Sequence, residues 1–127
     1  MKEQVVKEWC ERGKHDLNAA KILLKDAKYF DMAVFHIHQA VEKYLKGYLI
    51  HKGWDLKKIH DLELLITEVI NFDNFFRKYL DLGRKLTAAY YEDRYPPCPT
   101  TPYSKEEIRE MLEVAEEAIK KVKQGIN

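Results

Sequence analysis

The segment from residue 33 to about residue 51 places apolar and polar side chains on opposite faces of a helix. At about 100° per residue, seven apolar side chains share one broad face. They are Ala33, Ile37, Ala40, Val41, Tyr44, Leu45 and Tyr48. The opposite face carries His36, Gln39, Lys43 and Lys46. The first face is suited to burial against other helices, and the second offers an imidazole, an amide and two ammonium groups to an anion or a partner.

Apolar spacing of three and four also predicts helices on both sides of this segment. A first helix is expected from near the N-terminus to about residue 28, and a fourth from residue 74 to about residue 91, with Gly83 as a weak point or a site of close contact. Residues with capping side chains precede four of the helices: Asp31, Asp61, Asp73, and Ser104 with Glu107. Gly53 is expected to end the second helix.

All four prolines of the chain lie between residues 94 and 102, which predicts a stiff, extended loop before the last helix. No alternation of apolar and polar residues indicates a strand, and no turn dipeptide separates alternating runs. We therefore predict an all-α, up-and-down bundle of about five helices that forms a single domain over residues 1–127.

Composition limits the possible functions. The chain has 22 Lys and Arg against 21 Asp and Glu, so any binding of nucleic acid has to come from a local patch. No apolar run approaches the roughly 18 residues that a membrane span needs. Cys10 and Cys98 are far apart, and we expect a reduced cytoplasmic protein. His36 and His38 point about 160° apart on one helix, so we expect no metal site, and no cofactor is predicted.

Several short motifs occur in an order that resembles the HEPN family. They are Trp9 and DLxxA at 16–20, QAVEK at 39–43, LK at 45–46, HDL at 60–62 and RYP at 94–96. The resemblance implies a small α-helical domain of bacteria or archaea that is usually dimeric. It also implies a gene beside that of a minimal nucleotidyltransferase, with which such a domain acts as a toxin–antitoxin or nucleotide-binding pair.

Some branches of that family are metal-independent ribonucleases that use an arginine followed four to six residues later by a histidine. No arginine of this chain has a histidine at that distance, and His15 follows Arg12 too closely. A nuclease would therefore need Arg94 and His60 to meet in space. The missing spacing argues against an enzyme.

The candidate site for the phosphate of a nucleotide or RNA comprises Gln39, Lys43, Lys46, His60, Arg94 and Tyr95. Arg94 offers a guanidinium fork and Tyr95 a stacking ring, while His60 offers an imidazole for acid–base chemistry. Each has a plainer alternative. The lysines can lie on a solvated face, with Glu42 and Lys46 as an i, i+4 ion pair. His60 can be a hydrogen-bonded residue just before a helix. Arg94 can cap a helix end or pair with a neighbouring carboxylate.

Three functions follow from these observations. The first is a nucleotide- or RNA-binding module with a nucleotidyltransferase partner. The second is an endoribonuclease toxin that uses Arg94 and His60. The third is a structural helical adaptor, which would have a wide exposed apolar face. Phe35 lies toward the polar side of its helix and is a candidate dimer contact. We expect a homodimer.

Overall fold

Five α-helices form the framework of the computed structural model, which describes residues 2–93 and 103–127. They are α1 (Lys2–Leu23), α2 (Phe30–His51), α3 (Leu62–Ile70), α4 (Leu80–Asp93) and α5 (Lys105–Ile126). No strand occurs in these two stretches. The prediction of an all-α bundle is confirmed. No helix within the described residues is both long and apolar enough to cross a bilayer.

The connection between α1 and α2 differs from the prediction. α1 ends at Leu23 rather than near residue 28, and a short 3-10 helix, Ala27–Tyr29, precedes α2. Asp26 caps that turn by accepting a 3.0 Å hydrogen bond from the Lys28 amide. The prediction of Asp31 as the cap of α2 was wrong, because the 3-10 turn leads directly into α2 and supplies a carbonyl for the Phe30 amide.

The other predicted helix signals are found where they were expected. The carboxylate of Asp61 accepts from the amides of Glu63 and Leu64 at 2.9 and 3.4 Å. Ser104 and Glu107 form the complete capping box at the start of α5. Gly53, with φ of +96°, ends α2 in a conformation that favours glycine.

Asp73 caps a 3-10 helix, Asn74–Tyr79, which continues into α4. The predicted fourth helix therefore begins at the right residue, but its first six residues are wound more tightly than an α-helix.

α2 is the central helix and contacts α1, α3, α4 and α5. All seven side chains of its predicted apolar face are buried. α1 approaches α2 closely at Gly13, where an added Cβ would lie 2.7 Å from the Tyr44 ring. An added Cβ at Gly83 of α4 would lie 2.8 Å from Ile66 of α3, which confirms Gly83 as a site of close contact. The close approach at Gly13 thereby sets the distance between α1 and α2.

Candidate functional site: a polar strip on the central helix

Two charged side chains of α2 are buried inside the bundle. Glu42 and Lys46 are each 3% exposed, and Lys46 Nζ lies 3.1 Å from Glu42 Oε2. The ammonium also lies 5.7 Å from the centre of the Trp9 ring, a cation–π contact with α1. The predicted i, i+4 pair is therefore present. The expectation that it lies on a solvated face was wrong, because Trp9 and His60 cover this part of α2.

His60 contacts the same buried carboxylate from outside the bundle. Its Nδ1 lies 3.2 and 3.3 Å from the two oxygens of Glu42, and its side chain is 45% exposed. A carboxylate oxygen accepts, so Nδ1 of the ring donates. Nε2 accepts in the neutral ring and donates in the protonated ring, so a phosphate oxygen is bound by the protonated ring. Nε2 of His60 is therefore the nitrogen left for a ligand.

His38 fixes the backbone on which His60 is carried. It is fully buried, its Nε2 donates a 2.9 Å hydrogen bond to the carbonyl of His60, and its ring stacks on Tyr90 of α4 at 4.3 Å. Burial lowers the pKa of His38, which keeps this ring neutral. Oε1 of the Gln39 side chain lies 3.2 Å from Nδ1 of His38. With the amide turned by 180°, its NH2 group donates to Nδ1, which accepts when Nε2 carries the proton.

A second cluster joins α1 to the same side of α2. Asp16 Oδ2 accepts a 2.6 Å contact from Lys43 Nζ, and Asp16 Oδ1 lies 2.8 Å from His36 Nδ1. Asp16 is 8% exposed, whereas about a quarter of each of the Lys43 and His36 side chains is exposed. Both oxygens of this carboxylate are thus occupied, and they orient an ammonium and an imidazole at the surface.

These contacts define one surface, which we call the polar strip: His36, Gln39 and Lys43 on α2, with Asp16 on one side and His60 on the other. Three of the predicted binding residues, Gln39, Lys43 and His60, lie along it. Lys46 lies beneath it and is engaged by Glu42. Arg94 and Tyr95 lie outside the described residues.

Sequence reasoning assigned no role to Asp16 beyond its place in a family motif. It also missed that His36 and His38 have separate partners. A signal for Asp16 was available, since it interrupts the apolar spacing of α1 beside Leu17 and Ala20, on the side that becomes buried. No group of three or more His, Cys, Asp or Glu side chains in the described part of the chain is arranged to hold a metal ion.

Phe35, the predicted dimer contact, has a partner within its own chain. Its ring is half-buried and stacks on Tyr90 with 5.7 Å between the centroids and 13° between the planes. Phe35 therefore takes part in the packing of α2 against α4, and its remaining surface alone is available to a second subunit.

Comparison with known proteins gives a family and one named relative. The family model of the HEPN domain matches residues 6–125. A protein of Methanocaldococcus jannaschii named "Putative toxin MJ1304" is 31% identical in an alignment that covers 91% of this chain and 84% of that protein. The family match thus reaches from α1 to α5 and includes every described residue of the polar strip.

Two solved structures share the fold. That of TT1696 from Thermus thermophilus has a TM-score of 0.79 and 23% identity, and it covers 94% of this chain and 97% of the other. That of ST0689, an archaeal HEPN homologue, has a TM-score of 0.77 and 24% identity, with 96% and 98% coverage. At these identities the likeness concerns the arrangement of the helices.

Proposed function

The chain belongs to the HEPN family, whose model covers residues 6–125, and on this premise we propose that its polar strip binds the phosphate of a nucleotide or an RNA. The observation that carries the proposal is His60. Its imidazole is half exposed and oriented through Nδ1 by the buried carboxylate of Glu42, and in its protonated form it can donate through Nε2 to a phosphate oxygen. The ammonium of Lys43 and the amide of Gln39 supply further donors on the same surface.

The role we propose is that of the toxin-like member of a pair. A relative that carries the name of a toxin supports this role, and the family resemblance suggests a minimal nucleotidyltransferase as the partner. We propose that two copies of this chain form a homodimer that works with that partner in the cytoplasm. Light scattering of the purified chain, alone and after co-expression with a small nucleotidyltransferase encoded beside it, tests both associations. A monomer that does not bind such a partner would contradict them.

Titration calorimetry tests the binding site. AMP and a short single-stranded RNA are expected to bind at low salt, and the affinity is expected to fall as salt rises, because charge dominates the contact. His60→Ala should weaken binding about tenfold or more, since a charge-assisted hydrogen bond contributes about 1.5–3 kcal/mol. Arg94→Ala is expected to have a similar effect, because the sequence predicts a phosphate contact for its guanidinium.

His15→Ala is the matched control, because His15 is an exposed histidine of α1 outside the polar strip. Equal affinity of the wild type and His60→Ala would contradict the assignment of the strip.

The contact between Glu42 and His60 also favours a second candidate function, a metal-independent endoribonuclease. A carboxylate that accepts from Nδ1 leaves Nε2 as the basic nitrogen, which is how an imidazole is oriented to take a proton from a hydroxyl group. This function requires Arg94 to stabilise the charge of the reacting phosphate. Purified protein is expected to cleave RNA weakly or not at all in the presence of a chelator, since the family's arginine–histidine spacing is missing. Strong cleavage that is lost in His60→Ala and in Arg94→Ala would replace the binding function with this one.

A further inference from the structure

A small pocket on α1 is formed around Trp9, whose ring contacts Lys46 beneath the polar strip. It has a volume of about 200 Å³ and is lined by Glu8, Trp9 and Arg12, which lie within about one turn of the helix. Trp9 is half-buried and Arg12 exposed. The pocket is smaller than the roughly 300–1,000 Å³ of sites that enclose a whole small ligand, so a single planar ring is a better fit than a complete nucleotide.

The three side chains that line this pocket have complementary chemistry for a nucleobase. An indole provides a face for stacking, which is sequence-tolerant because every base has a π-face. A carboxylate such as that of Glu8 accepts from the exocyclic amino group of a base. Among residues 2–91 and 103–127 no carboxylate forms an ion pair with Arg12, so its guanidinium can donate to acceptor atoms of the base.

A continuous set of contacts joins the pocket to His60. Lys46 Nζ lies 5.7 Å from the centre of the Trp9 ring and 3.1 Å from Glu42, which in turn lies 3.2 Å from His60. Trp9 and His60 therefore contact the two members of one buried ion pair, which places the pocket beside the proposed phosphate site. Gln39 and Lys43, two residues of the polar strip on α2, lie on the same side of that helix as Lys46.

We propose that the pocket of Glu8, Trp9 and Arg12 binds the base of the nucleotide, or of one RNA residue, whose phosphate lies on the polar strip. This inference rests on the proposed function and adds a preference to it. Bases with an exocyclic amino group, which adenine and cytosine carry and uracil lacks, are favoured by the carboxylate of Glu8.

Tryptophan fluorescence tests the pocket directly. The chain has two tryptophans, so Trp54→Phe leaves Trp9 as the sole reporter. Titration of this variant with AMP is expected to quench the fluorescence of Trp9 to saturation, whereas ribose 5-phosphate, which lacks a base, should bind without quenching. AMP should bind more tightly than UMP, and Glu8→Ala should remove that difference.

Trp9→Leu in the wild-type background should weaken AMP binding about 5- to 150-fold in calorimetry, the range expected when one base loses its stacking ring. Binding of ribose 5-phosphate by the same variant should be unchanged, which shows that it is folded. Trp54→Leu is the matched control at the other tryptophan and should leave AMP affinity unchanged.

Two outcomes contradict the inference in different ways. If AMP and ribose 5-phosphate bind equally well and Trp9 fluorescence does not change, the base pocket is wrong and the phosphate site stands. If neither compound binds, the proposed function is wrong and the pocket assignment falls with it.

Discussion

Nε2 of His38 donates a 2.9 Å hydrogen bond to the carbonyl oxygen of His60, 22 positions further along the chain. This contact ties the centre of α2 to the residue immediately before Asp61, the cap of α3. It holds the backbone of His60 while Glu42 holds its side chain. The ring that we assign to ligand binding is therefore fixed at two points by buried groups of one helix.

The first prediction concerns pH. Burial lowers the pKa of His38 below its ordinary value of 6.5, so the unfolded chain takes up a proton on this residue at a higher pH than the folded chain does. The stability of the fold should therefore fall as the pH drops below about 6.5, by at most about 1.4 kcal/mol per pH unit from this residue. Denaturant unfolding at pH 7.5 and at pH 5.5 measures the difference.

His38→Gln keeps a donor near the His60 carbonyl but does not titrate, and it should lose part of this acid sensitivity. His15→Gln, at an exposed position, should retain it. An acid sensitivity that is the same in His38→Gln as in the wild type would show that other groups cause it.

The second prediction concerns the buried ion pair of Glu42 and Lys46. Lys46→Met keeps the length of the side chain but removes the ammonium, which leaves a carboxylate that is 3% exposed with only the imidazoles of His60 and His38 near it. We expect the free energy of unfolding to fall by about 3–5 kcal/mol, the usual cost of removing one member of a buried pair. Denaturant unfolding measures it.

Lys85→Met is the matched control. Lys85 pairs with Asp81 at the surface, at the same i, i+4 spacing, and the loss should stay within about 0.5 kcal/mol. Equal losses in the two variants would show that burial does not decide the strength of these pairs.

The third prediction concerns the close approach of α1 to α2. A Cβ at Gly13 would lie 2.7 and 2.9 Å from two carbons of the buried Tyr44 ring and 3.2 Å from the carbonyl oxygen of Ala40. Gly13→Ala should therefore destabilise the fold by about 1–3 kcal/mol, although alanine is the better helix former. Thermal unfolding measures the change, with Lys14→Ala at the neighbouring exposed position as the control.

In the double variant with Tyr44→Leu, the cost of Gly13→Ala should shrink, because the ring that the new methyl group meets is absent. If the losses of the two single variants simply add in the double variant, the Tyr44 ring is not the cause of the destabilisation by Gly13→Ala.

The spacing of side chains within single helices predicted much of the fold. The apolar face of α2 needs only its own 3.6-residue period, and Asp61 and Ser104 act on amides two or three residues away. The prediction failed for Lys46, because a helical projection shows a face but not which neighbouring helix covers it.

The same limit applies to the candidate site. The contacts of Asp16 with His36 and Lys43 span 20 and 27 positions, and the contact of Glu42 with His60 spans 18. Such pairings depend on how α1 and the residues before α3 pack against α2. The residue types on the polar strip were therefore predictable, whereas the carboxylate that each cation contacts was not.

The last prediction separates stability from binding at Asp16. Asp16→Asn keeps the shape of the side chain but removes the charge that holds Lys43 at 2.6 Å and His36 at 2.8 Å. The fold should lose about 1–3 kcal/mol, because a largely buried charged hydrogen bond is weakened at each oxygen. Binding of AMP should become tighter, because the ammonium of Lys43 is released and a negative charge near the phosphate is removed. An interaction on the order of 1 kcal/mol between charges at the surface corresponds to about a fivefold gain in affinity.

Asp81→Asn, which changes an exposed carboxylate on α4, is the control and should change neither stability nor AMP affinity appreciably. Weaker AMP binding in a folded Asp16→Asn would mean that Asp16 positions Lys43 and His36 for the ligand rather than competing with it.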